Sequence, residues 1–130
     1  MNPNPAEDQC LEPLRTAAEQ ELGLVLAALP PDLGERADRI PVTYEPQPSA
    51  EMLKAGISAN TLGLFLGERF DDSVFRHRPL PSQIILFLVV IWNVAGHLMP
   101  RYREQVRRTY LHELGHYLGL DEKEVRLRDL

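Results

Sequence analysis

Residues 101–119 read RYREQVRRTYLHELGHYLG. Apolar residues recur at steps of three and four, which predicts a helix over 101–118 that ends at Gly119. His112 and His116 are four residues apart, so both project from one side of this helix, where two imidazoles can bind one metal ion. Glu113 follows the first histidine, where a carboxylate can accept a proton from a metal-coordinated water. The stretch therefore predicts a helix that carries a zinc site with Glu113 as general base.

The His-Glu-x-x-His spacing is specific at this composition. A chain with 4 histidines and 12 glutamates among 130 residues is expected to contain about 0.01 such strings by chance. The alternative interpretation is a polar helix end with two solvated histidines. The low chance expectation favours the metal site.

Two histidines do not complete a catalytic zinc site, which takes three protein ligands and keeps one position for water. Only 14 residues follow His116 in this sequence, so we expect no room for a glutamate from a separate downstream helix. A second common arrangement turns at a glycine and supplies a ligand six residues after the second histidine. Gly119 and Glu122 occupy those positions, and glycine tolerates the positive φ of such a turn. Glu122 is the predicted third ligand; the alternatives are Asp121 and a solvated acidic helix start without a ligand.

The rest of the sequence predicts an α+β fold in one domain, residues 1–130. A helical stripe covers residues 6–29 and stops at Pro30 and Pro31. Three strands are predicted, over residues 40–45, 62–70 and 82–88. A turn or short helix is predicted over residues 32–37, another short helix from Ser49 to about Ala55, and a last helical turn or two over residues 122–130.

Of all the segments in the sequence, the nine consecutive apolar residues from Ile84 to Trp92 are the most similar to a membrane-spanning segment. They fall well short of the roughly 20 that a spanning helix needs. A buried strand that runs into a helix or turn explains them better. The sequence therefore does not predict a membrane protein.

The side chains of the metal helix are expected to divide between two faces. One face is predicted to carry the metal site, and its members are Tyr102, Val106, Thr109, His112, Glu113 and His116. The other is predicted to pack on the sheet, through Leu111, Leu114 and Leu118. Four arginines are expected to form a solvated face: Arg101, Arg103, Arg107 and Arg108.

Composition excludes several classes of function. The net charge of −5 gives no general attraction for nucleic acid. Cys10 is the single cysteine, so no internal disulfide is expected. Residues 1–9 lack the basic and apolar regions of a signal peptide. We therefore expect a cytoplasmic protein without a nucleic-acid or membrane partner.

The string HELGHYLGLDE, residues 112–122, resembles the H-E-x-x-H-x-x-G-x-x-D motif of the small bacterial zincin-like metallopeptidases. The resemblance implies a minimal zincin-like fold, with a small mixed sheet of about three strands packed by helices and the metal helix near the C-terminus. It also implies His112 and His116 as zinc ligands and Glu113 as general base. Glu122 stands where the family motif has aspartate.

The same resemblance implies a zinc-dependent metallopeptidase that hydrolyses a peptide or protein substrate. An extended substrate would lie along an edge strand, either residues 62–66 or residues 84–88. The alternative is a non-catalytic zincin-like domain that binds a protein partner through an exposed sheet edge. A metal-dependent nuclease is disfavoured, because comparable small nucleases use three histidines and this chain is acidic.

Overall fold

The computed structural model describes residues 5–67 and 82–118, with side chains from residue 11 onward. The described residues form five helices and three strands. Their order is α1 (Pro5–Ala28), α2 (Pro31–Asp38), β1 (Val42–Glu45), α3 (Ala50–Lys54), β2 (Gly63–Leu66), β3 (Gln83–Phe87), α4 (Leu88–Val94) and α5 (Met99–Leu118). The α+β class is confirmed, as is the position of the metal-motif helix.

The three described strands form one mixed sheet in the order β1-β3-β2. β1 runs parallel to β3, with Val42 opposite Ile84, and β2 runs antiparallel to it. β3 is the central strand, and residues 84–87 are all buried, as their continuous apolar run predicts. The expectation that residues 84–88 could serve as an edge strand is wrong, since both edges of β3 are already paired.

The apolar run from Ile84 to Trp92 changes from strand to helix without a loop. β3 ends at Phe87 and α4 begins at Leu88, which confirms the predicted buried strand followed by a helix. None of the helices in the described ranges is long and apolar enough to cross a membrane.

The buried face of α5 follows a strict four-residue step. Its core members are Tyr102, Val106, Tyr110, Leu114 and Leu118. This corrects the predicted division of the helix, because Tyr102 and Val106 are core residues that do not share the face of the metal site, whereas Thr109 is buried and lies beside Glu113, as predicted. His112 and His116 are each two residues out of step with this stripe, which is about 200° around a helix, so they project away from the buried face.

Two of the four α5 arginines connect this helix to α1. Glu21 of α1 is only 7% exposed, and its carboxylate lies 3.0 Å from Arg103 and 3.2 Å from Arg107. Arg103 also donates to Gln20 at 2.9 Å. The expectation of a solvated arginine face therefore needs correction for Arg103, which is half-buried against α1, whereas Arg107 is exposed as predicted and also pairs with Glu21.

Local signals fix several element boundaries. Ser49 caps α3, accepting a hydrogen bond from the Met52 amide at 3.2 Å, and Gly56 follows this helix with φ 97°. Pro31 is the first residue of α2, as suits a residue that lacks an amide hydrogen. The second strand ends at Leu66, short of Gly67, which the sequence assigned to it; residues 68–70 and the predicted helix over residues 122–130 lie outside the described residues.

Candidate metal centre

The two histidines of the motif converge on one point in space. The Nε2 atoms of His112 and His116 are 3.1 Å apart, and their rings stand nearly perpendicular, with centroids separated by 4.7 Å. Both side chains are exposed. The geometry follows from the four-residue spacing, which brings the two side chains together one turn apart on α5.

These atoms fit a metal ion. Two nitrogens bound to tetrahedral zinc at 2.0–2.1 Å lie about 3.3 Å apart, which is close to the observed separation. The ligand atoms of His112, Glu113 and His116 all lie within 4.8 Å of one another. Two imidazoles are donors that zinc accepts, and the carboxylate beside them is a group that can accept a proton from a metal-coordinated water. The side chains present therefore match the group that the motif predicts.

Glu113 lies where α5 meets β2. A Cβ atom built on Gly63 would fall 3.4 Å from Glu113 Cγ and only 2.6 Å from Thr109 Cγ2. The missing side chain of Gly63 thus allows the strand to approach the helix closely beside the glutamate. An isolated glycine in a strand is the sequence signal for such an approach, but the identity of its neighbour comes only from the fold.

The outer edge of β2 presents backbone groups next to the histidines. Leu62 accepts a hydrogen bond from the Phe87 amide at 2.9 Å, and residues of an antiparallel pair alternate between bonding inward and outward. Gly63 and Phe65 therefore direct their N–H and C=O groups away from β3. In the described part of the chain, no strand pairs with this edge.

A groove of about 350 Å³ runs between β2 and α5. It is lined by Leu62, Gly63, Gln105, Arg108, Thr109, His112 and Glu113. Farther along the strand, Phe65 packs against Tyr117 with ring centroids 5.8 Å apart. The site is thus an open cleft between one strand edge and one helix face, with His112 and Glu113 on its walls and His116 one helical turn beyond His112.

Glu122, Asp121 and Gly119 lie outside the described residues, so the choice of third ligand stays a prediction. His97 precedes α5, where it stacks on Trp92 and contacts the Asn93 side chain at 2.8 Å. It takes no part in the described cluster of metal-binding side chains.

A protein-family model matches most of this chain. The model of the zincin-like metallopeptidases matches residues 37–129, which is most of the chain and includes the sheet and the motif helix. The chain belongs to the zincin-like metallopeptidase family. A search of curated protein sequences finds no significant match.

Family membership agrees with the geometry of the zincin-like site. The resemblance rests on residues 112–122, whereas the matched region begins near the end of α2 and covers all three described strands. A zincin-like chain implies a metal, and the motif histidines are positioned to bind one. The sequence did not indicate that Gly63, Gln105 and Arg108 would line the same cleft, because these contacts depend on how β2 packs on α5.

Proposed function

We propose that this zincin-like protein is a zinc-dependent metallopeptidase that hydrolyses peptide bonds in a peptide or protein substrate. The observation that carries the proposal is the convergence of the His112 and His116 Nε2 atoms, 3.1 Å apart, with the Glu113 carboxylate nearby. His112, His116 and Glu122 hold the metal in this proposal, with Asp121 as the alternative third ligand.

When bound, a zinc ion in such a site lowers the pKa of a coordinated water toward ~7 and polarises the scissile carbonyl. Glu113 accepts the proton of the attacking water and returns it to the leaving amine. Its position supports this role, because Glu113 is half-buried between α5 and β2 and faces the cleft that the substrate enters.

The substrate backbone binds along β2 in this proposal. The outward N–H and C=O groups of Gly63 and Phe65 offer the hydrogen bonds that an added strand requires. This edge lies against the helix that carries Glu113, so a peptide paired with it passes the histidines in extended form.

A non-catalytic peptide-binding domain is the second candidate, and it is favoured by the outer edge of β2, which pairs with no strand among the described residues. Such a domain would bind extended peptides through β2 and leave them intact. The two functions differ in the fate of the peptide, so one set of variants tests both.

The test uses full-length protein purified without chelator, metal analysis, and a mixture of synthetic decapeptides followed by mass spectrometry. We expect about one zinc per chain and cleavage that falls at least ~100-fold in Glu113→Gln while zinc is retained. His116→Ala should lose the metal. Glu45→Gln, an exposed carboxylate of β1 at the opposite sheet edge, is the matched control and should cleave normally.

Two results would overturn the peptidase proposal. Unchanged cleavage in Glu113→Gln would exclude this residue as the base. Zinc-loaded protein that binds the decapeptides without cleaving any of them would identify a binding domain instead.

A further inference from the structure

The cleft between β2 and α5 continues past the histidines along a polar stripe of the helix. Arg101, Gln105, Arg108 and His112 follow one another at steps of four, three and four residues, which places them on one helix face. Gln105 and Arg108 line the groove together with Gly63 and Thr109. The helix wall of the groove thus carries the guanidinium of Arg108 and the amide of Gln105, and His112 is the last residue of the stripe.

Arg108 is differently placed from the arginines that bind α1. Its one described ion pair is with Glu104 at 3.3 Å, and both side chains are largely exposed, at 70% and 52%. An exposed pair one helical turn apart stabilises little. The Arg108 guanidinium can therefore exchange Glu104 for a carboxylate that enters the groove, with which it can form two parallel hydrogen bonds.

The direction of β2 determines which part of a bound peptide reaches Arg108. β2 runs alongside α5 in the same sense, since Gly63 lies against Thr109 and Phe65 against Tyr117. A peptide added antiparallel, the more stable pairing per residue, has its C-terminal half at the Gly63 end. That end opens toward Arg108.

Distances along the two elements give the register. Arg108 precedes His112 by four residues, which is about 6 Å along a helix. An extended peptide covers about 3.3 Å per residue. The side chain of Arg108 thus lies beside about the second substrate residue after the peptide bond that is placed next to the motif histidines.

We propose that Arg108, assisted by Gln105, binds a carboxylate on the C-terminal side of the cleaved bond, so that the enzyme prefers substrates with an acidic side chain or a free C-terminus about two residues after that bond. This preference rests on the proposed peptidase function. Arg101 extends the same stripe farther along α5 and supports acidic residues beyond that position.

The test compares matched decapeptides that differ at the second residue after the cleavage site: glutamate, glutamine or lysine. Truncated peptides that end at this position, as free acids or amides, distinguish a terminal carboxylate from a side chain. We expect kcat/KM for glutamate to exceed that for glutamine about tenfold. Arg108→Gln should reduce this ratio to about one, and Arg108→Glu should make lysine the preferred residue.

Arg39→Gln is the matched control, because Arg39 pairs with Glu35 in an equally exposed pair one helical turn apart. It should keep the full preference for glutamate. The same peptides are also measured for binding to zinc-loaded Glu113→Gln, so that the preference is read without catalysis.

The outcomes separate this inference from the proposed function. Cleavage with no dependence on Arg108 would refute the carboxylate subsite and leave the peptidase intact. Arg108-dependent binding of glutamate peptides with no cleavage by the wild type would support the subsite and refute the peptidase. A preference for acidic residues before the cleaved bond would overturn the antiparallel orientation.

Discussion

Gly63→Ala tests whether the contact between β2 and α5 is as close as the structure indicates. The new Cβ would lie 2.6 Å from Thr109 Cγ2 and 3.3 Å from Leu86 Cδ2, whereas carbon atoms pack best at about 3.5–4.0 Å. One of the partners must therefore move by about 1 Å. Thr109 is 8% exposed and Leu86 is fully buried, so neither side chain can simply rotate into solvent.

The magnitude follows from two opposing effects. Overpacking a core contact costs about 1–3 kcal/mol, while replacing glycine by alanine gains about 0.4–1 kcal/mol because the unfolded chain loses freedom. We expect Gly63→Ala to lower the free energy of unfolding by about 1–2 kcal/mol and Tm by roughly 4–8 °C. Urea denaturation and calorimetry on metal-free protein measure both values independently of activity.

A second substitution isolates the contact. Thr109→Ser removes the Cγ2 methyl group, so it should lower the free energy of unfolding of the wild type by about 1 kcal/mol. In the Gly63→Ala background the same substitution should restore stability, because it removes the atom that the new Cβ meets. The coupling free energy from the double-mutant cycle should be about 1 kcal/mol or more.

Gly23→Ala is the matched control, since no atom lies within 4 Å of the added Cβ in the middle of α1. The free energy of unfolding of this variant should be about 0.5–1 kcal/mol higher than that of the wild type. Stabilisation by Gly63→Ala similar to that by Gly23→Ala, or an equal loss of stability from Thr109→Ser in both backgrounds, would show that β2 and α5 are not in such close contact.

Two further predictions concern the helix pair beneath the site. Glu21→Gln should lower the free energy of unfolding by about 1–2 kcal/mol in urea denaturation, because two α5 arginines lose their buried carboxylate. The control Glu19→Gln removes a carboxylate from an exposed pair and should change this free energy by less than about 0.5 kcal/mol. Equal effects of the two substitutions would contradict the role of Glu21 between the helices. Burial raises the pKa of Tyr110 to about 12 and that of Tyr102 still further above its usual range. The folded state thus keeps these protons to higher pH than the unfolded chain, so stability is fully present below pH ~10 and falls between pH ~10 and ~12. Tyr110→Phe should lose less stability over that interval in urea titrations, and an equal loss would exclude Tyr110 as a contributor.

The sequence predicted the elements of this fold better than their contacts. The helix over 6–29, the strand over 82–88 and the metal helix agree with the structure to within a few residues, because periodicity and prolines are local signals. The order of the strands in the sheet could not be predicted from the sequence, since the parallel pairing of β1 with β3 joins residues about 40 positions apart. For this reason residues 84–88 were wrongly considered as an edge strand.

The face assignment of α5 failed for a related reason. Its two apolar sets, Tyr102 and Val106 on one side and Leu111 on another, fit several rotations of a helix. Only the position of α1 selects one of them. With α1 in place, the four-residue stripe is buried, Leu111 is half-buried, and Glu21 converts two apparently solvated arginines into interhelical partners. The spacing of His112 and His116 needed no such information, because four residues on a helix already bring two side chains together.

The position of Gly63 links the packing of this fold to its proposed chemistry. Its missing side chain sets the separation between β2 and α5, and the same residue directs its N–H and C=O groups to the open edge. In the proposed function, a substrate hydrogen-bonded to Gly63 is held at a distance from Glu113 that depends on this one contact. A larger residue at position 63 would displace the substrate backbone and the general base relative to each other. Since catalysis is sensitive to displacements of about 1 Å, activity should be lost at this position before the fold is, which distinguishes Gly63 from a glycine that serves packing alone.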